Sequence, residues 1–142
     1  MEEFIGGKRF PQTNKHCRAA FYHNLSPDPI NHAASDELIR LQDKHIAENY
    51  GVQISGVYVD HAYHTEMERP AFEKMLEDAR NGKFELIITK SIERFAPTSE
   101  ETIQVIEELL SLTDPVTVYF ESDMLDSNVI HSVVPILRGC CT

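Results

Sequence analysis

Three separate stretches of this 142-residue chain carry side chains suited to chemistry on a phosphate. A serine hydroxyl, such as that of Ser26, is a poor nucleophile because its proton is hard to remove at neutral pH. Its attack on a phosphodiester builds negative charge on the non-bridging oxygens, and arginines stabilise that charge through a permanent positive charge and bidentate hydrogen bonds. If the three stretches converge in the fold, they form a phosphoryl-transfer site from Ser26, Arg69, Glu93 and Arg94.

Each stretch also has a simpler structural interpretation, which the residues alone leave open. Ser26 is followed by a Pro-Asp-Pro turn, where a hydroxyl often satisfies local backbone groups. Residues 90–95 fit a solvated loop between a strand and a helix. A further cluster contains the metal-ligand types His61 and His64 with acidic neighbours. Zinc sites need fixed geometry, so a mobile, solvated loop is favoured there.

Glu93 and Arg94 of the possible phosphoryl-transfer site follow the strongest strand signal in the chain, residues 84–89 (Phe-Glu-Leu-Ile-Ile-Thr). A short apolar run without alternation is typical of a strand that is covered on both faces by helices. Open α/β sheets bind their ligands at the carboxyl ends of strands. Lys90, Glu93 and Arg94, which follow this strand, are therefore candidates for work on an anion.

Strands and helices alternate along the rest of the chain. This spacing predicts a three-layer α/β fold with a mostly parallel sheet of four to five strands flanked by helices. The other predicted elements are a strand over 18–24, a helix from Ser35 to about Tyr50, a strand over 52–60, a helix from Pro70 to about Asn81, a helix capped by Thr98 and ending near Leu112, a strand over 116–120, and a last helix beginning over 127–137.

Glycines and apolar spacing give two details of this pattern. Gly51 ends the first helix, and Gly56 shifts the alternation of the second strand as a β-bulge would. The apolar residues near helical spacing in the first helix are Leu38, Leu41, Ile46 and Tyr50.

The length and composition are those of one ordinary globular domain, with 42% hydrophobic and 25% charged residues. Residues 1–16 lack periodicity and are predicted to be a flexible leader to a domain over 17–142. The sequence has neither an apolar run long enough to span a membrane nor the apolar core of a signal peptide. These features predict a cytoplasmic protein with no membrane partner.

Charge and cysteine content narrow the function classes further. A net charge of −10 argues against a basic surface that grips nucleic acid by itself. It leaves open a local basic pocket, or a separate basic domain outside this chain. The three cysteines have no metal-binding spacing and are predicted to be reduced.

The order of the motifs resembles the catalytic domain of the serine recombinases, the resolvase/invertase family. That family has a first strand of the form Tyr-x-Arg-x-Ser, and residues 22–26 (Tyr-His-Asn-Leu-Ser) stand in its place. Its strand ending in Tyr-Val-Asp matches residues 58–60, and its Arg-Pro-x-Phe-x-x-Met-Leu motif matches residues 69–76. Residues 90–97 are similar to its Lys-x-x-Asp-Arg-Phe-x-Arg motif, and residues 116–121 fit its Val-x-Val-Tyr-Phe-Glu run.

The resemblance implies a resolvase-like fold and a site-specific DNA recombinase. Ser26 would be the nucleophile that forms a phosphoserine linkage to DNA. Arg69 and Arg94 would bind the scissile phosphate, with Lys90 as a further cation, and Glu93 would replace the family's aspartate as an orienting group or proton shuttle. The family uses no metal or nucleotide cofactor and works through dimers that join into a tetramer. Set against the family pattern, we expect its long C-terminal helix to be truncated in this chain, with no DNA-binding domain after it.

Departures from the family pattern concern the same site. Asn24 stands where the family has an active-site arginine, and Pro97 stands where it has another. Each missing arginine costs on the order of a hundredfold in rate, by analogy with lost oxyanion donors. Glu93 is one methylene longer than the expected aspartate, and His64 and its neighbours replace a Ser-Gly pair in the mobile loop.

Two functional hypotheses follow. The first is a recombinase catalytic domain that cleaves and exchanges DNA strands. The second is a catalytically degenerate module of the same fold that acts by protein association. A third interpretation, a phospho-receiver domain, is disfavoured because residues 24–26 lack the acidic cluster that such domains carry after the first strand.

Overall fold

The computed structural model describes residues 3–5, 8–10, 17–25, 32–63, 65 and 67–128, with side chains described over 17–25, 37–63, 65 and 67–128. Every strand and helix predicted within these ranges is present. The strands are β1 (Glu3–Ile5), β2 (Lys8–Phe10), β3 (Arg18–Asn24), β4 (Gln53–Asp60), β5 (Leu86–Thr89), β6 (Thr117–Phe120) and β7 (Leu125–Asp126). The helices are α1 (His32–Tyr50), α2 (Pro70–Arg80), α3 (Ile92–Phe95) and α4 (Ser99–Leu110).

The central sheet has the strand order β4-β3-β5-β6-β7. Its first four strands are parallel to their neighbours, which confirms the prediction of a mostly parallel α/β sheet. β7 pairs antiparallel with β6 and adds a fifth strand at one edge. It is absent from the sequence prediction, because two residues are too few to show an alternating pattern.

Helices cover both faces of this sheet. Along β3, Ala19 and Phe21 face one side and Ala20 and Tyr22 face the other, because side chains alternate along a strand. All four are at most 1% exposed. α1 covers the first face, and α2, α3 and α4 cover the second. The arrangement confirms the predicted three-layer fold.

Of the four apolar positions predicted along α1, Ile46 and Tyr50 pack against the core, whereas the two leucines do not. The helix begins at His32 rather than Ser35, and it buries Ile39, Asp43 and Ala47, which lie four residues apart. Leu38 and Leu41 are 59% and 57% exposed. In the part of the chain that the structure describes, no helix combines the length and apolar content that crossing a bilayer requires.

Gly56 lies at a bulge in β4, as predicted. The register between β3 and β4 shifts by one residue between Ala19 and Ala20. A Cβ atom at Gly56 would lie 3.0 Å from the ring of Tyr58, so glycine leaves the space in which that ring packs. The Tyr58 hydroxyl donates to the carboxylate of Asp78 on α2 at 2.7 Å.

The predicted leader and the last predicted helix lie at the two ends of the chain, and only part of each is described. β1 and β2 pair antiparallel inside the segment assigned as a leader, and their three-residue length explains why the sequence pattern did not indicate them. The flexibility of residues 1–16 remains a prediction. At the other end, Ser127 and Asn128 are helical, and the rest of the last predicted helix lies outside the described residues.

The contact between Tyr58 and Asp78 makes stability depend on pH. The hydrogen bond from Tyr58, followed by the charges of Lys74 and Lys83, holds the pKa of the Asp78 carboxyl below its ordinary value. Such a group stabilises the fold above the pKa of the unfolded chain, about 3.9, and the contribution is lost as the pH falls through the folded-state value. We expect Asp78→Asn to lower the free energy of unfolding by about 1.5–3 kcal/mol at neutral pH. Urea unfolding at several pH values should show the difference shrinking in acid.

Glu108→Gln is the matched control for this prediction. Glu108 pairs with Arg80, but both side chains are more than a third exposed, and exposed pairs contribute about 0–1 kcal/mol. A loss for Asp78→Asn that equals the control, or that does not change between neutral and acid pH, would contradict the assignment.

Candidate active site at the carboxyl edge of the sheet

The carboxyl ends of β3 and β5 open into a cavity of about 440 Å³ beside α1. Here the chain leaves two neighbouring strands in opposite directions, because α1 leads to β4 on one side and α4 leads to β6 on the other. Open α/β sheets bind their ligands at such a point. The polar side chains that line the cavity include His23, Asn24, Asp43, Lys90, Arg94 and Glu121.

A buried carboxylate, Asp60 at the end of β4, holds one wall of the site together. It accepts hydrogen bonds from the Tyr22 hydroxyl at 2.9 Å, from the Ala71 N–H at 3.0 Å and from the Phe72 N–H at 2.9 Å. The two amides lie in the first turn of α2, where N–H groups have no partner inside the helix. Burial, followed by the charge of Asp60, raises the pKa of Tyr22 well above its ordinary range, so the hydroxyl remains a donor at neutral pH.

Arg69 is the residue that directly precedes α2. Pro70 follows it at the first helical position, where the fixed φ of proline suits the helix. The Arg69 guanidinium donates from Nη1 to the carbonyl oxygen of Phe95 at 2.9 Å. Arg69 therefore connects the start of α2 to α3, the helix that carries the second arginine of the predicted set.

Tertiary contacts hold α3, since a single turn is not stable by its own hydrogen bonds. Its last residue, Phe95, is fully buried. Glu93 is exposed and Arg94 is half-buried on the outer side of the turn. The Phe95 ring makes edge-to-face contacts with three aromatic rings. The centroid distances are 6.2 Å to Tyr22, 5.2 Å to Phe72 and 5.5 Å to Phe120.

Tyr63, in the loop between β4 and α2, contacts both charged residues of α3. The guanidinium carbon of Arg94 lies 4.3 Å from the centre of the Tyr63 ring, a cation–π contact. The Tyr63 hydroxyl donates to Oε1 of Glu93 at 3.4 Å. Its backbone N–H donates to the carbonyl of Leu25 at 3.1 Å, which ties this loop to the residue just before Ser26.

Lys90 adds a third cation at the same edge. It follows β5 and lines both the cavity and a neighbouring groove that includes Glu93 and Pro97. Its Nζ lies 3.9 Å from Oε1 of Glu121, and the lysine side chain is 59% exposed. The ammonium group is therefore loosely paired and accessible to an incoming anion.

The two arginines of the site have no acidic partner in the described part of the chain. Neither Arg69 nor Arg94 forms an ion pair with a carboxylate there, whereas Arg80 on α2 pairs with Glu108 at 2.6 Å. In a chain of net charge −10, acidic partners are abundant. Two half-buried guanidiniums without such partners can bind an external anion through charge-assisted hydrogen bonds.

Asn24 is buried at the end of β3, with 2% of its surface exposed. Its Oδ1 accepts a hydrogen bond from the Ala62 N–H at 2.9 Å. Its Nδ2 has no hydrogen-bond partner among the described residues, and an unsatisfied buried donor costs about 1–3 kcal/mol. The site thus contains a donor without a partner among the described residues, at the position where the resemblance implies an arginine. Pro97 is exposed and supplies no side-chain donor.

The structure brings four of the five predicted site residues to this edge of the sheet: Lys90, Arg69, Glu93 and Arg94. Ser26 lies outside the described residues, as do His64 and Glu66 of the possible metal-ligand cluster. The residues that are described contain no group of three or more histidine, cysteine or acidic side chains placed to hold a metal ion.

A histidine–aspartate pair in the cavity was missed by the sequence analysis. Nε2 of His23 lies 2.8 and 3.0 Å from the two carboxylate oxygens of Asp43 on α1. Neither residue carries a signal alone, because only the packing of α1 on the sheet brings them together. One clue was available: Asp43 shares a helical stripe with Ile39 and Ala47, and an acid on a buried stripe requires a partner.

Comparisons with known proteins agree with this architecture. Residues 31–130 match the family model described as "Resolvase, N terminal domain". The N-terminal catalytic domain of TP901-1 integrase has a TM-score of 0.62 at 19% identity, over 87% of this chain and 92% of that one. A resolvase family site-specific recombinase from Streptococcus pneumoniae gives 0.61 at 19% identity, over 87% of each chain.

A third solved structure is more distant in sequence. The C-terminal catalytic domain of ISC1926 TnpA, described as an IS607-like serine recombinase, has a TM-score of 0.57 at 14% identity, over 84% of this chain and 79% of that one. No curated protein matches the chain. At these identities the structural likeness establishes the fold.

Removing the carboxylate of Asp60 should destabilise the whole wall of the site. Asp60→Ala leaves the Tyr22 hydroxyl and two amides of α2 without their acceptor. We expect the free energy of unfolding to fall by about 3 kcal/mol or more, because each orphaned donor carries a desolvation penalty. Urea unfolding at neutral pH measures the loss.

Asp123→Ala is the control, since Asp123 also accepts from a helix N-terminus but is exposed. Its carboxylate accepts a hydrogen bond from the Ile92 N–H at 3.0 Å. Removing it should lower the free energy of unfolding by about 1 kcal/mol or less. Equal losses in the two variants would show that Asp60 is an ordinary helix cap and that the wall does not depend on it.

Proposed function

The chain belongs to the resolvase family, and from that premise we propose that it is the catalytic domain of a site-specific DNA recombinase. It would cleave and exchange DNA strands through a phosphoserine link between protein and DNA. The observation that carries the proposal is the pair of arginines at the carboxyl edge, Arg69 and Arg94, which have no acidic partner among the described residues. A phosphodiester of DNA is an anion that these guanidiniums fit.

The proposed reaction uses all five residues of the predicted site. Oγ of Ser26 attacks the phosphorus and forms a new P–O bond, while the deoxyribose oxygen leaves with the electron pair of the bond that breaks. Arg69 and Arg94 bind the non-bridging oxygens, where negative charge accumulates, and Lys90 adds positive charge beside them. Glu93 orients the reacting groups or shuttles a proton. Attack of a deoxyribose hydroxyl on the phosphoserine reverses the step and joins the exchanged strands.

We also propose how DNA reaches the site. With a net charge of −10, the domain does not attract DNA over its whole surface. We place sequence recognition in a DNA-binding domain outside residues 17–142, so that the cationic edge binds one phosphate of DNA that is already held. Strand exchange needs several cutting sites together, which is consistent with self-association into dimers and tetramers.

A second candidate is a catalytically degenerate module that acts by protein association. The observation that favours it is the chemistry at positions 24 and 97. Asn24 uses its Oδ1 to hold the backbone of Ala62, and Pro97 offers no donor, so two expected guanidiniums are absent. At on the order of a hundredfold in rate for each, their loss is large enough to abolish useful turnover.

A covalent-adduct assay distinguishes the two candidates. The whole chain is fused to a DNA-binding domain of known sequence, so that affinity does not limit the reaction, and is compared with Ser26→Ala and with Asn24→Arg combined with Pro97→Arg. For an active recombinase we expect wild type to form a denaturant-stable protein–DNA adduct that Ser26→Ala abolishes. An adduct formed only by the double-arginine variant would instead establish the degenerate module.

The arginine assignment has its own test in the same fusion. We expect Arg94→Gln to slow adduct formation by on the order of a hundredfold, because it removes a charged donor from the phosphate. Arg40→Gln is the matched control, since Arg40 is an exposed arginine of α1, and its rate should equal that of wild type. Equal rates in all three proteins would remove Arg94 from the proposed site.

A further inference from the structure

We infer that Tyr63 positions Arg94 for phosphate binding: its ring orients the guanidinium and leaves the N–H donors of that guanidinium free. The inference rests on the function proposed above, because that function assigns Arg94 to the phosphate. Tyr63 lies between the motifs at residues 58–60 and 69–76, and neither motif includes it. It contacts the phosphate-binding group rather than the phosphate, so it is a positioning residue.

An arginine that binds an external anion must be held in place without losing its hydrogen-bond donors. Carboxylates hold two other arginines of this chain. Arg18 pairs with Glu85, and Arg80 pairs with Glu108. Such a partner occupies N–H groups in the plane of the guanidinium and offsets its positive charge. Arg94 therefore needs a support that leaves both its donors and its charge available.

The Tyr63 ring is a support of this kind. The guanidinium carbon of Arg94 lies over the ring, 4.3 Å from its centre. A cation is attracted to the face of an aromatic ring, and the five N–H groups of a guanidinium point outward in its own plane. Within the described residues, no carboxylate pairs with Arg94 and no oxygen atom accepts a hydrogen bond from its guanidinium. The contact thus orders the cation and leaves its donors for a phosphate.

The hydroxyl of Tyr63 engages the acid that directly precedes Arg94. It donates to Oε1 of Glu93 at 3.4 Å, a long and therefore weak hydrogen bond. Glu93 and Arg94 are adjacent in the chain, yet they form no ion pair in the part of the chain that the structure describes. One side chain thus holds the cation by its ring and the acid by its hydroxyl, and the two charges stay apart.

Backbone contacts fix the place of Tyr63 itself. Its N–H donates to the carbonyl of Leu25 at 3.1 Å, at the end of β3. The preceding residue, Ala62, is 1% exposed, and its N–H donates to Oδ1 of Asn24 at 2.9 Å. A supporting group orients a binding residue only when it is itself held by the scaffold. The ring of Tyr63 is attached to the sheet in this way, so it can set the position of Arg94.

A purely structural role explains this tyrosine less well. A ring that contributed chiefly to stability would lie in the core, where those of Tyr22 and Tyr119 are at most 1% exposed. Tyr63 is half-buried and belongs to neither of the two core clusters. Its loss removes little buried apolar surface, so the fold should tolerate Tyr63→Leu.

The first measurement follows the arginine Nε–H signals in spectra of the ¹⁵N-labelled chain. The signal of Arg94 is identified by its loss in Arg94→Gln. We expect it upfield in wild type and in Tyr63→Phe, because both proteins place a ring against the guanidinium, and downfield in Tyr63→Leu. Met67→Ala is the control, since Met67 is a 59% exposed residue of the same loop, and it should leave the signal unchanged. An Arg94 signal that does not move in folded Tyr63→Leu overturns the inference.

The second measurement adds inorganic phosphate and follows the same signals. In wild type we expect the Arg94 signal to respond, whereas those of Arg18 and Arg80 respond little because carboxylates occupy their donors. Tyr63→Leu should weaken phosphate binding at Arg94 by on the order of fivefold, and Tyr63→Phe should retain most of the affinity. An equal response of the three arginines, or an affinity that Tyr63→Leu leaves unchanged, contradicts the inference.

The third measurement is a double-mutant cycle on the rate of adduct formation in the fusion described above. We expect Tyr63→Leu alone to slow the reaction by on the order of tenfold, because Arg94 is no longer held in position. Combined with Arg94→Gln, it should cost nothing further, since the residue through which it acts is already gone. Losses that add in the double variant would show that Tyr63 does not act through Arg94, and the inference would fail.

The outcomes separate this inference from the proposed function. If wild type forms no adduct, the recombinase proposal fails, and the spectra and the phosphate titration still decide the role of Tyr63. If wild type forms the adduct and Tyr63→Leu forms it at the same rate, the role of Tyr63 is overturned and the recombinase stands.

Discussion

Asp60 is buried at the end of β4, where its carboxylate accepts hydrogen bonds from Tyr22 on β3 and from two amides of α2. A buried carboxylate is stable only when its hydrogen bonds are made, so the ends of two strands and the start of a helix must stay together. Arg69 is the residue directly before α2, and the hydrogen bonds to Asp60 hold the first turn of that helix. The start of α2, which Arg69 directly precedes, depends on this one acid.

The second requirement is the packing of apolar side chains that holds α3 in place. α3 is too short to be stable alone, and the buried ring of Phe95, packed among aromatic side chains from β3, α2 and β6, holds it in place. Glu93 and Arg94 lie on the outside of that turn, and the Tyr63 ring contacts Arg94 from the neighbouring loop. The charged residues of the site are therefore positioned by the hydrophobic core beneath them.

Charge is distributed in a way that suits a local site on an acidic protein. The chain carries a net charge of −10, yet Lys90, Arg69 and Arg94 gather at one edge, and the arginines have no acidic partner among the described residues. Such an arrangement suits the binding of one phosphate by an otherwise acidic protein, as the proposed function requires. Under the proposed function, affinity for long DNA would lie outside this domain, and the domain would supply the chemistry.

The sequence by itself determined the features that depend on neighbouring residues. The apolar run of β5, the Thr98 cap that accepts from the Glu101 N–H, the Gly56 bulge and the mostly parallel sheet were all predicted correctly. The grouping of Arg69, Glu93, Arg94 and Lys90 as one site came from the order of the motifs, and their function remains a prediction. The tertiary structure alone decided which face of α1 is buried, and with it the pairing of His23 with Asp43 and the exposure of Leu38. These contacts join residues far apart in the chain, and helical spacing cannot specify them because it leaves open which stripe of a weakly amphipathic helix meets the sheet.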